Sequence, residues 1–154
     1  MNSNILIIKT DNAITEEEIN LEKLTVEELM EEYKTDRMDF AKEIDIKYAV
    51  ENFAENLNID FLEIKHKEKT IACIINSKKV IEKVKEKEKS VKEQLKIMID
   101  DRDANLYTIS ETAYPKTGPL FIIDNNSPVN IFELPFYISE ADTFTVIQAF
   151  EYHF

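Results

Sequence analysis

Residues 59–99 read IDFLEIKHKEKTIACIINSKKVIEKVKEKEKSVKEQLKIMI, and this stretch decides the fold class. Ile59–His66 and Thr70–Asn76 have strand length and flank the polar triplet Lys67-Glu68-Lys69, which predicts a hairpin. The second of these strands, TIACIIN, is apolar enough to be central. Ser77 then offers a cap for a helix over 78–99. Val80, Val84, Val91, Leu95 and Met98 form its apolar stripe, interrupted by Glu88. So thin a stripe places the helix on a surface, with Lys and Glu facing water.

Toward the amino end, Asn4–Thr10 (NILIIKT) reads as a first strand, followed by a turn at Asp11–Ala13. Thr15-x-x-Glu18 and Thr25-x-x-Glu28 both fit the capping box, so short helices are expected from about 16 and 26. Asp36 is a candidate cap for a third helix over about 37–57. Ile46, Val50, Phe53 and Leu57 recur at helical spacing within it. Toward the carboxyl end, Leu106–Thr112, Leu120–Asp124 and Ile131–Ser139 read as strands, with a turn cluster at Asp124–Pro128. Phe144, Val146, Phe150, Tyr152 and Phe154 alternate, with Gln148 the exception, and predict a final strand. A helix from Ser139-x-x-Asp142 is the rival reading.

Strands and helices in this order predict an α+β fold, with an acidic helical N-terminal part packed on a mostly antiparallel sheet. At 154 residues the chain fits a single domain, 1–154, helical over about 1–58 and β-rich over about 59–154. The lone Cys73 permits no intrachain disulfide. With no apolar run of membrane-span or signal-peptide length, a soluble cytoplasmic protein is the expectation. The bias to Ile, Asn, Glu and Lys, with 17 Lys against Arg37 and Arg102, suits an AT-rich bacterial or phage genome.

Gly118 is the only glycine. A P-loop, a dinucleotide fingerprint and a G-x-S-x-G elbow each need glycine where backbone approaches a ligand or takes positive φ, so none is present. Turns are therefore expected to use Asn, Asp, Ser and Pro. Asp101-Arg-Asp103-Ala-Asn105 begins like a calcium loop. However, its sixth position is Leu106 and its twelfth Thr112, where Gly and a bidentate Glu are required. Glu63-x-Lys65 matches the E-x-K element of metal-dependent nucleases but lacks a placed partner acid; Asp60, Glu51 and Glu55 are the nearest. A hydrolase built on it is the alternative function. His66 and His153 have no Cys or His at ligand spacing. Cys73, inside an apolar strand, reads as a small buried residue. No catalytic residue, metal or cofactor is expected.

The net charge of −12 is unevenly placed. Residues 1–60 carry 16 acids and 6 bases, residues 61–100 carry 7 and 11, and residues 101–154 carry 8 and 2. Such a field bears on partners rather than on fold. Between Asp11 and Glu32 nine acids face one base, Lys23. On a helix, Glu27/Glu31 and Glu28/Glu32 repel at i,i+4 spacing. A chain keeps such a face either because water solvates it or because it meets a cationic surface. The candidate partner-binding residues are Glu16, Glu17, Glu18, Glu27, Glu28, Glu31 and Glu32. Their expected partner is a basic, nucleic-acid-binding protein surface, with no direct contact to nucleic acid or membrane. The lysines of 78–96 interleave with glutamates, lack arginine and stacking aromatics, and read as a solvated face. They also allow a homodimer with the acidic region of a second copy. An oligomer sealed by the C-terminal aromatics is a further alternative.

In charge and size the chain resembles the small acidic proteins of phages and mobile elements that inhibit host nucleic-acid enzymes, including anti-CRISPR and nucleic-acid-mimic proteins. The resemblance implies an inhibitor or adaptor rather than an enzyme.

Overall fold

The computed structural model describes residues 2–11, 15–33, 40–101, 105–113 and 118–153. The chain has an α+β fold. Among these residues the order is β1 (Asn2–Lys9), α1 (Glu16–Glu22), α2 (Val26–Glu32), β2 (Phe40–Ile44), α3 (Ile46–Leu57), β3 (Leu62–His66), β4 (Lys69–Asn76), α4 (Ser77–Asp100), α5 (Leu106–Ala113), β5 (Leu120–Ile123), α6 (Leu134–Ile138) and β6 (Thr143–His153). The sheet runs β3-β4-β6-β1-β5, with β2 also on β6. Only β1–β5 is parallel; the other pairings are antiparallel.

The last strand organises the sheet. Its 11 residues pair along one side with β1. Along the other side, Thr143–Val146 pair with β4 and Ala149–His153 with β2. Both faces of β6 are buried over residues 144–150, where all but Thr145 and Gln148 are apolar. Phe144, Val146 and Ala149 point into one core with Leu6, Ile8, Cys73, Ile75, Phe121 and Ile123. Ile147, Phe150 and Tyr152 point into the other with Ile5, Ile7, Ala72 and Ile122. Helices α3, α4 and α6 cover the first face and α1 and α2 the second. Phe53 of α3 meets Phe121 edge-on with ring centroids 5.5 Å apart, a geometry worth about 0.5–1.5 kcal/mol beyond its burial.

Gln148 breaks the alternation because the ladder bulges there: Ile7 pairs with Gln148 but Ile8 with Val146. The bulge lies opposite a gap of about 490 Å³ between β2 and β4. The Gln148 side chain, 2% exposed, accepts from the Leu24 N–H at 2.9 Å and donates to the Leu24 carbonyl at 2.8 Å. One buried amide thus replaces the strand partner that the α1–α2 connection lacks, and fixes both helices to the sheet.

The expected helix over 37–57 holds only from Ile46. Asp45 caps it, its Oδ1 accepting from the Tyr48 N–H at 3.0 Å, and Phe40–Ile44 are strand β2 instead. Asp36 lies outside the described residues. Ser77 is not the cap of α4. Asn76 is, accepting from the Lys79 N–H at 2.9 Å, while Ser77 is buried with its hydroxyl unpartnered. Two expected strands are helices. Leu106–Ala113 is α5, where Asn105 Oδ1 accepts from the Thr108 N–H at 2.8 Å. Leu134–Ile138 is α6, entered through a turn in which Asn130 and Glu133 bond each other's backbone. The final strand is confirmed over its rival helix; Phe154 lies outside the described residues.

The β3–β4 turn uses neither Asn, Asp, Ser nor Pro. Lys67 and Glu68 both sit in the left-handed region, at φ 50° and 65°, as a two-residue hairpin of opposite twist to a common turn requires. Replacing Lys67-Glu68 by Asn-Gly is expected to raise stability by about 1 kcal/mol in urea unfolding, since those residues accept positive φ with less strain. Gln148→Ala should lower it by about 1–3 kcal/mol, because both polar groups of Leu24 lose their partner.

Candidate functional site

All seven candidate carboxylates lie on α1 and α2, exposed on one face of the sheet. The same apolar positions decide this for both helices. Ile19 and Leu29 are buried against the sheet, so Glu17 and Leu21 on α1, and Glu27 and Glu31 on α2, point away from it at 3.6 residues per turn.

The seven are not equivalent. Glu18 and Glu28 are structural: each accepts from the backbone N–H of its capping threonine, Thr15 at 3.2 Å and Thr25 at 2.8 Å. The threonine hydroxyls accept in return from the Glu18 and Glu28 N–H groups. These reciprocal bonds satisfy otherwise orphaned donors at both helix starts and place negative charge at the positive dipole end. Glu16 reaches Nδ1 of His66 on β3 at 3.1 Å. Glu17, Glu27, Glu31 and Glu32 make no ion pair among the described residues.

Between the helices lies an open depression of about 380 Å³. Leu21, Glu22, Lys23, Leu24, Glu28, Glu32, Tyr33 and Asn125 line it. Carboxylates of both helices therefore converge on one concavity. Its charge is partly compensated. Lys9, 7% exposed, reaches Glu22 at 2.6 Å and donates to Asn125 Oδ1 at 3.0 Å. Burial, and then the charge of Glu32, raise the Tyr33 phenol above its ordinary pKa, so it stays a neutral donor. Reading the residues alone missed two members: Leu21, an 85% exposed apolar side chain amid acids, and buried Lys9. The i,i+4 step from Glu17 to Leu21 was the available signal.

The Glu63-x-Lys65 element has a different use. Glu63 accepts from Thr70 Oγ1 at 2.8 Å and pairs with Lys47 at 3.3 Å and Lys65 at 3.7 Å. Its carboxylate is engaged by cations and a hydroxyl, and among the described residues no three His, Cys, Asp or Glu side chains converge on a metal-sized site. Across the ladder from Glu63, Cys73 is fully buried. Burial, reinforced by Glu63, Asp45 and Glu51, pushes its thiol up to about 12, so it is not a thiolate nucleophile at neutral pH. Phe144, Phe150 and Tyr152 are buried within the chain itself and form core, not an open interface. Arg102 and Asp103 of the calcium-like segment lie outside the described residues. Among the described residues no helix is long and apolar enough to cross a membrane. Comparison with known families, curated proteins and solved structures finds no match.

The Glu63 carboxyl is held below the usual carboxylate range, first by the Thr70 hydroxyl and then by Lys47. Its stabilisation is therefore present above the unfolded-state pKa and is lost as pH falls through the lower folded value. Thr70→Val should move the Glu63 midpoint upward in a carboxyl-carbon NMR titration, so that the loss starts at higher pH. An unmoved midpoint refutes the assignment.

Proposed function

We propose that the outer face of α1 and α2 is a docking surface for a basic protein, and that the chain acts as an inhibitor or adaptor of a nucleic-acid-binding partner. The observation that supports this reading is the shared depression, which Glu22, Glu28 and Glu32 from two helices line together with Lys23 and the exposed Leu21. Leu21 places a large apolar side chain among these acids. A docking surface gains from one: the carboxylates steer a cationic partner, and an apolar anchor slows its departure. Glu17, Glu27 and Glu31 supply the outward charge, while Glu28 and Glu18 hold the helices that carry it.

This division of labour sets the experiment. Glu17, Glu27 and Glu31 are changed together to Lys, leaving both capping boxes intact so that folding is preserved. Affinity capture from host lysate at low salt should recover a basic nucleic-acid-binding protein with the wild type and not with the variant. Association of the purified pair should slow by about tenfold or more on charge reversal, and should weaken as salt rises. Capture and on-rate that survive the triple reversal overturn the proposal. Leu21→Ser should act differently, speeding dissociation with little change in on-rate.

A further inference from the structure

Helix α4 is longer than the fold requires. Its 24 residues span about 36 Å. Its fully buried residues, Ser77, Val80 and Val84, all fall in its first eight, and α5, which packs against it, has none. The two helices form an arm. Toward the arm's tip Ile97, Ile99, Leu106 and Tyr107 are each two-thirds or more exposed, with Ile97 and Ile99 flanking α4 on its two sides. Asp100 and Asp101 stand beside them.

The outer side of α4 identifies what covers these side chains. Lys83, Lys87 and Ser90 face the end of α3. Away from them runs an exposed row: Lys78, Glu82, Lys85, Lys89, Glu93, Lys96 and Asp100. Its spacing is the same read in either direction from Lys89, and its charges are opposite at mirrored positions. Lys78 mirrors Asp100, Glu82 mirrors Lys96, and Lys85 mirrors Glu93. No member of the row is ion-paired among the described residues. Two such helices laid antiparallel pair every mirrored position with its opposite charge, six ion pairs in all, against one like-charge contact, Lys89 with its copy at the centre. Paired surface charges set register more than affinity, so the apolar ends must supply the rest. They are suitably placed. The first turns of α4 pack beside α6, whose Phe136 is 82% and Tyr137 44% exposed. Antiparallel pairing brings the tip of one arm to this end of the other.

We propose that the α4–α5 arm joins two copies of this chain about a two-fold axis at Lys89, with Lys85–Glu93, Glu82–Lys96 and Lys78–Asp100 paired across it and each tip seated on the partner's α6. The interface is isologous and closes at two copies. It uses the opposite side of the sheet from the acidic face and does not rest on the function proposed above.

Light scattering of the full chain should give twice 18.0 kDa. Glu93→Lys sets like charges against Lys85 at two symmetric places and should weaken the dimer by about tenfold or more. Adding Lys85→Glu should restore it. Ile97→Asp, at an exposed position that leaves the fold intact, should yield the monomer. Lys89→Cys should form a covalent dimer on mild oxidation, since the two Cβ atoms meet across the axis and Cys73 is buried; Lys87→Cys, turned toward α3, should not. A mass of one chain at all concentrations overturns the proposal. So does a dimer that is indifferent to Glu93→Lys and Ile97→Asp and does not cross-link at position 89.

Discussion

Every layer of this protein depends on the hydrogen-bonding of its last strand. β6 is the one strand that meets β1, β2 and β4, so it joins segments from both halves of the chain into one sheet. A strand in that position has no solvent-facing side, which is why residues 144–150 are all buried. It also has to serve two neighbours that arrive end to end on one edge. The bulge at Ile147–Gln148 occurs where β4 stops and β2 begins, and re-aims the strand between them. The polar residue at that point is the means by which the acidic helices are anchored.

The acidic helices show how one residue type can serve two ends. A seven-residue helix is too short to be stable alone, since nucleation costs more than so few bonds return. Two such helices persist here because each buries one apolar residue, Ile19 or Leu29, and because each start is closed by a reciprocal Thr–Glu cap. Some of the acid is thus explained by folding. What remains, Glu17, Glu27, Glu31 and Glu32, is an excess that makes no ion pair among the described residues, and of these Glu32 shares the depression with the exposed Leu21.

How far these features were legible follows from which interactions are local. Both capping boxes, the hairpin at 62–76, the stripe of α3 from Ile46 and the final strand were readable, because caps, turns and periodicity act within a few residues. Phe40–Ile44 was not, since that strand exists by pairing with a segment about 110 residues away and buries only Ala41 fully. Leu106–Ala113 carries β-branched and aromatic residues in a strand-like pattern, and Asn105 as its cap was the overlooked sign. In Ile131–Ser139, Pro135 argued against a central strand and suited a first helical turn. The exposure of Leu21 and the burial of Lys9 are tertiary facts, set by which side of α1 Ile19 turns to the sheet.

The two proposed surfaces reinforce each other through their placement. The carboxylates and the arm lie on opposite sides of the sheet, so copies joined through α4 leave both acidic faces uncovered. A two-fold assembly then presents two such faces on one rigid body. Against a partner that offers two basic sites, the second contact forms at an effective concentration set by that body rather than by bulk solution. Individually weak, salt-screened carboxylate contacts gain residence time in this way without any added apolar area. That consequence accounts for an otherwise costly combination: a small acidic chain that carries a long helix whose fully buried residues all lie in its first eight.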